Sequence, residues 1–204
     1  MKDRPALAEP AVTLVSHASV LIEAGETVIW CDPWLGGKVF ADSWALVDPP
    51  AAVDKAMAES THIWISHEHP DHFHLQTLRD LPDEVKQRVT LLFQDDGLPK
   101  MPDAFRRLGF PNIQLMPHRK IVQVGDVGAY CYQQGLMNSA LAVRHGNTTV
   151  ININDCELTA LDSKLILDDL GSVDLTLNQF SLAGYNGSND PETWSTAFAA
   201  GVIE

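Results

Sequence analysis

The strongest constraint on this chain is an abrupt change of character at Ser66. The run Thr61-His62-Ile63-Trp64-Ile65-Ser66 is short, apolar and rich in β-formers, which predicts a buried strand over 61–66. Directly after it come His67, Glu68, His69, Pro70, Asp71 and His72, with four metal-ligand side chains in six residues. Pro70 rules out a regular helix through the cluster, so His67 and His69 are displayed from an extended segment before the chain turns at Asp71 and His72. Loops leaving the carboxyl ends of buried strands are where sites gather in α/β sheets. A lone histidine would read as a surface or core residue, but this density after a buried strand points to metal. Imidazole and carboxylate donors suit zinc, iron or manganese, and the compactness of the set allows one or two divalent ions.

The rest of the pattern is that of an α/β (α+β) protein. AVTLVS (11–16), SVLIEA (19–24) and TVIWCD (27–32) alternate as short strands joined by turn material, which predicts an antiparallel opening. A loop rich in Gly, Pro and aromatics spans 32–50, and a short helix covers 54–59. Further helices are expected over 75–81, 102–108 and 161–170, the last bounded by Gly171. VTLLFQ (89–94), IQLMP, KIVQVGD and VGAYCYQ read as strands; SALAVRH and TTVINI form a hairpin about His145-Gly146-Asn147, and VDLTLN is a late strand. No repeat or linker divides the chain, so a single domain over 1–204 is expected.

Composition narrows the class. The 204 residues are 45% hydrophobic and 20% charged, enough for one buried core. With 14 Lys plus Arg against 27 Asp plus Glu, the net charge of −13 disfavours nucleic acid as a partner. No apolar window is long enough to span a membrane, and the start MKDRPALAEP lacks a signal-peptide core, so a cytoplasmic protein is expected. Cys31, Cys131 and Cys156 are scattered and odd in number, which suits reduced thiols.

The pattern HxHxDH after an apolar strand resembles the signature of the metallo-β-lactamase superfamily. The resemblance implies a four-layer αββα sandwich in which His67 and His69 hold one metal, Asp71 and His72 a second, and a later aspartate bridges both. Asp155, after TTVINI, matches the bridging position. Asp32, in the segment CDPW, matches an aspartate placed beside the site, where it would orient a ligand imidazole. His17, in SHASVLIE, resembles a position near the metals in lactonase-like members; a buried structural role is its other reading.

CDPWLGGKVFADSWALVDPP, ISHEHPDH, NINDC and QFSLAGYNGS together are similar to the metallo-β-lactamase-like part of the CMP-N-acetylneuraminate hydroxylase family. That family couples this fold to a Rieske iron–sulfur domain, and three scattered cysteines cannot supply a Rieske motif here. Two departures concern the site. Where members carry a third histidine before the hairpin, this chain reads Tyr132-Gln133-Gln134-Gly135-Leu136-Met137-Asn138, which leaves Gln134 as the nearest match and a weak ligand; His118 falls a strand too early and is expected in a loop. No histidine follows His145, so the family's late ligand is missing, and the end at AFAAGVIE leaves open that the last segment of the fold is absent. With a single metal, His67, His69 and Asp155, or Asp71, His72 and Asp155, would form the set.

Trp34, Phe40 and Trp44 lie on the loop expected to face the metals and are candidates for a substrate wall or for ordinary packing. Asn186, Gly187, Ser188 and Asn189 are read as a turn. Glu68 is expected to point away from its neighbours into solvent. The leading expectation is a hydrolase acting on a small polar metabolite, with Asp71 or Asp155 as the catalytic carboxylate orienting a metal-activated water. Two alternatives stand beside it: an iron-dependent oxygenase component needing an external electron-transfer partner, and a degenerate domain that binds a metal or a partner without catalysis. Self-association is left open.

Overall fold

The computed structural model describes residues 7–135 and 137–178. In chain order the elements are β1 (Leu7–Ser16), β2 (Ser19–Gly25), β3 (Thr27–Cys31), β4 (Lys38–Val39), β5 (Trp44–Ala45), α1 (Val53–Glu59), β6 (His62–Trp64), α2 (Leu75–Asp80), α3 (Asp83–Arg88), β7 (Thr90–Gln94), α4 (Lys100–Arg107), β8 (Ile113–Met116), β9 (Val122–Val124), β10 (Val127–Gln134), β11 (Asn138–His145), β12 (Thr148–Asn154), α5 (Ala160–Leu170) and β13 (Leu175–Asn178). They build a six-stranded sheet in the order β1-β2-β3-β6-β7-β8 and a five-stranded sheet in the order β13-β12-β11-β10-β9, with β4 and β5 as a separate ribbon. The first three strands are antiparallel, and β3, β6, β7 and β8 run parallel.

The layering follows from the period-2 alternation of side chains along each strand. Ile22, Ile29, Cys31, Trp64 and Leu92 point inward and meet Ala129, Cys131, Leu141, Val143 and Val150 of the second sheet. Their neighbours Leu21, Val28, Trp30, Ile63, Leu91 and Phe93 point outward, against Leu78, Val85 and Phe105 of α2, α3 and α4. On the far side Tyr132, Ala140, Ala142 and Ile151 are covered by Ile166 and Leu170 of α5. The result is helices, sheet, sheet, helix: the αββα sandwich. Its three cysteines are free and buried, and burial pushes the thiols of Cys131 and Cys156 up to about 12.

Boundary differences have local causes. The helix expected over 102–108 begins two residues earlier, at Lys100, because Pro102 sits within the first turn, where a missing N–H costs nothing. The helix α3 was not foreseen; it is six residues long, with Asp83 and Glu84 in its first turn, Lys86 and Arg88 in its last, and Val85 on the core. The loop over 32–50 contains the β4–β5 ribbon. None of the described helices is long and apolar enough to cross a membrane. The stretch QFSLAGYNGS, the turn over 186–189 and the terminal AFAAGVIE lie outside the described residues.

Candidate metal centre

Four chain segments converge beyond one end of the two sheets. β6 ends at Trp64, and the chain then turns at His69-Pro70-Asp71-His72, with the N–H groups of His72 and Phe73 donating to the His69 carbonyl at 3.0 and 2.7 Å. Pro70 fixes the second turn position. The other three segments arrive with backbone in the left-handed region: His17 at φ 37° between β1 and β2, Asp32 at φ 42° after β3, and Asn154 at φ 56° before Asp155. Left-handed conformations of non-glycine residues concentrate where a structure must aim a side chain. The His17 turn is held by the Ser16 hydroxyl, which donates to the Trp34 carbonyl at 2.6 Å.

Asp32 is the hub. It is fully buried and accepts from the Ser66 N–H at 2.8 Å, the Ser66 hydroxyl at 2.7 Å, the Nδ1–H of His72 at 3.0 Å and the side-chain amide of Asn154. Two ring orientations follow. With Nδ1 of His72 donating to Asp32, its Nε2 faces the centre as a lone pair. Because the single Ser66 proton goes to Asp32, its oxygen accepts from Nδ1–H of His67 at 2.9 Å, and Nε2 of His67 is likewise turned inward. Asn154 comes from the inward row Val150, Asn152, Asn154 of β12, so strand alternation delivers it to Asp32.

The inward-facing atoms fall into two groups, each with its ligand atoms within 4.8 Å of one another: His67, His69 and Asp155; and His17, Asp71 and His72. Nε2 of His67 lies 2.8 Å from Nδ1 of His69, and Nε2 of His17 lies 3.0 Å from Oδ2 of Asp71. Asp155 stands between the groups, its Oδ2 3.7 Å from Nε2 of His67 and 3.4 Å from Nε2 of His72. Nε2 of His72, deeply buried and 3.4 Å from Oδ2 of both Asp71 and Asp155, has no hydrogen-bond partner, and neither does the buried Oδ1 of Asp71. Buried polar atoms are nearly always satisfied, so this pair marks a place for a ligand. The donor set of imidazoles and carboxylates fits a divalent transition metal.

The electrostatics match a centre built to hold positive charge. Burial, with the neighbouring His72, lowers the His67 imidazole to about 4, so at neutral pH it is an uncharged ligand. For His72 burial acts downward, yet the carboxylates of Asp155, Asp32 and Asp71 around its ring raise it well above the ordinary imidazole value. Burial pushes Asp71 up, but His17, bonded to it, and the nearby His72 hold it far below the usual carboxylate range. Asp155 is also lowered, by the neighbouring His72 against burial.

The other residues weighed from sequence fall elsewhere. Gln134 joins neither group: its amide donates to the Glu157 carbonyl and accepts from the Glu157 N–H at 2.7 Å, so both ends of the side chain are used in tying β10 to the segment after β12. It is a clamp, not a ligand. His118 sits in a bridge to Cys131, with Nδ1 accepting from the Gln133 N–H at 2.9 Å. Glu68 does not face solvent alone but pairs with Lys100 at the start of α4. Ser66 and Asn154 belong to the centre although sequence gave no reason to choose them. The one available signal was the alternation that puts Asn154 on the inward row. Asn138 also reaches the region, donating to the Asp155 carbonyl at 3.0 Å.

Fold and geometry together define an αββα sandwich with clustered histidine and aspartate side chains, candidate metal ligands, at one end of its paired sheets. The chain belongs to the β-lactamase superfamily domain family, whose model matches residues 11–193. Among curated proteins it is 29% identical to a Mycobacterium tuberculosis protein named for a Rieske 2Fe-2S iron–sulfur centre, over 83% of this chain and 34% of that protein. It is 26% identical to the Mus musculus cytidine monophosphate-N-acetylneuraminic acid hydroxylase, over 74% of this chain and 27% of that protein. The chain thus spans about a third of the length of the curated relatives it matches. Among solved structures, CmlA, a diiron β-hydroxylase from Streptomyces venezuelae, superposes with a TM-score of 0.67 at 18% identity, over 95% of this chain and 40% of that one. An isothiocyanate hydrolase from Delia radicum gut bacteria gives 0.60 at 19% identity, over 83% and 71%.

Proposed function

We propose that this chain supplies the non-haem metal centre of an oxygenase, one that hydroxylates a small polar metabolite and draws electrons from a Rieske-type centre on a partner or on another part of a longer protein. The observation that carries the reading is the make-up of the ligand groups. Each is two imidazoles and one carboxylate, with no thiolate among them. That set, with coordination positions left open, is the one that holds iron in oxygenases. The third histidine that would close the first site is replaced by a glutamine committed to Glu157. The sequence relatives named for Rieske centres and hydroxylation favour the same reading.

In this reading His67, His69 and Asp155 would hold one ion and His17, Asp71 and His72 the other, with Asp155 beside His67 and His72. Bound iron would supply oxygen activation at the open positions. The chain's own residues do the rest. Asp32 and Ser66 fix the two inner imidazoles so that neither ring can turn its lone pair away. Asp71 is held ionised, with Oδ1 left as a hydrogen-bond acceptor, and so acts by charge and not as a base. Burial of His67, Asp71 and His72 keeps bulk water off the ligand face.

A second reading, metal-dependent hydrolysis, draws on the same free Oδ1 of Asp71, which is placed to orient a water molecule. The two separate experimentally. Protein purified without oxygen should contain iron and, given a reduced Rieske-type donor, should consume oxygen. Zinc content with ester turnover and no oxygen uptake would overturn the oxygenase reading in favour of hydrolysis.

A further inference from the structure

Of the three loop aromatics after Asp32, Trp34 is 1% exposed and Phe40 and Trp44 are 39% and 37% exposed. The exposed pair does not face away from the centre. The Phe40 ring meets the His69 ring edge-on at 6.3 Å between centroids, the Trp44 ring meets the His17 ring at 6.3 Å, and the two aromatics meet each other at 5.0 Å. One outer ligand of each metal group therefore carries an aromatic neighbour, and the pair runs across the mouth from one group to the other.

The backbone is bent to make this arrangement. Phe40, Ala41 and Asp42 are three successive non-glycine residues at positive φ, 50°, 54° and 65°, and the turn is closed by the Ser43 hydroxyl and N–H on the Phe40 carbonyl. Left-handed conformations cost such residues about 1–2 kcal/mol each, so a run of three is not a default turn. Packing alone gives no reason for two large rings to be held half in water by a strained tip, because burial is what would offset that cost.

We propose that Phe40 and Trp44 are the specificity wall of the centre, taking the face of an aromatic or heteroaromatic ring whose anionic substituent reaches the ions. The inference rests on the metal centre proposed above and adds its substrate class. Aromatic side chains recognise rings by offset and edge-to-face contact at the separations seen here. The anionic substituent follows from charge. An open position on a bound divalent ion takes an anionic oxygen, which neutral groups cannot match.

The test uses the full chain loaded with zinc, which is redox-inert, and calorimetric titration with benzoate, cyclohexanecarboxylate and acetate. Benzoate should bind about 10-fold more tightly than acetate and measurably more tightly than cyclohexanecarboxylate. Phe40→Ala and Trp44→Ala, tested singly, should each cut the benzoate advantage to about 3-fold or less and leave acetate affinity and zinc content unchanged. Equal binding of benzoate and acetate by the parent chain, or a preference that survives both substitutions, overturns the wall. Zinc assayed on the same samples keeps the two readings apart. A chain that holds zinc but shows no ring preference sinks the wall alone, and one that holds no zinc sinks the metal centre together with the wall.

Discussion

His62 and His72 stand ten residues apart, one at the start of β6 and one in the loop beyond it, and their surroundings push them in opposite directions. His62 is buried, bonds through Nδ1 to the Thr61 hydroxyl at 2.8 Å, and burial lowers it to about 4. Asp126, the nearest carboxylate, is taken up by the Thr27 hydroxyl and the Glu26 N–H, so it does little to offset that burial. His72 is more deeply buried still but faces Asp32, Asp71 and Asp155, and its Nε2 has no partner. The same side chain is thus a neutral structural element at one end of a three-residue strand and part of a candidate metal cluster just past the other. The difference lies in how many carboxylates face the ring: one, held by other partners, for His62, and three for His72. One leaves the histidine as packing; three leave a site suited to a cation.

The largest way to break that contrast is at the ligand end. His67→Ala with His69→Ala should strip the first ion and lower turnover by about 10³-fold or more, measured by metal analysis and steady-state rates. At the structural end the effect is on stability and has a defined sign. The folded state keeps His62 neutral, and the unfolded chain takes up its proton near pH 6.5, so the stability from His62 is complete above pH 6.5 and drains as pH falls toward about 4. About 2 kcal/mol should be lost over that window in denaturant titrations, and His62→Gln should flatten this part of the profile without changing metal content. Asp32→Asn sharpens the comparison from the other side. It keeps the shape but weakens the anchor of His72, and should reduce metal affinity by about 10–100-fold in chelator competition. Gln134→Ala should cost about 1 kcal/mol of stability, through lost bonds to Glu157, and leave metal affinity unchanged. A loss of metal there would return Gln134 to the ligand set.

Much of this was legible because the relevant signals are local. Alternating apolar residues announced the strands, and the layer each side chain joins follows from its parity along the strand. The apolar run ending in HEHPDH placed the ligand loop. What stayed hidden depends on contacts between distant segments. The union of Asp32 with Asn154 spans 122 positions, and that of His17 with Asp71 spans 54. Nothing around His17 distinguishes a structural histidine from one aimed at a carboxylate on the loop after another strand of the same sheet. Glu68 was expected in solvent because Lys100 lies 32 residues away on another element. Gln134 resembled a ligand by position in the chain, but its local geometry directs both ends of its amide to Glu157. The ribbon of β4 and β5, with its three left-handed residues, carries no glycine at those positions to reveal it.

The central claim is that two groups, each of two imidazoles and one carboxylate, hold one ion apiece, with His17 completing the group of Asp71 and His72. Metal analysis of the full chain purified without oxygen, beside its His17→Ala variant, tests this most directly. The account predicts one iron for each group in the parent chain and the loss of one of them in the variant, with the other retained. Undiminished metal content in the variant, or a parent chain that binds no metal, would contradict it.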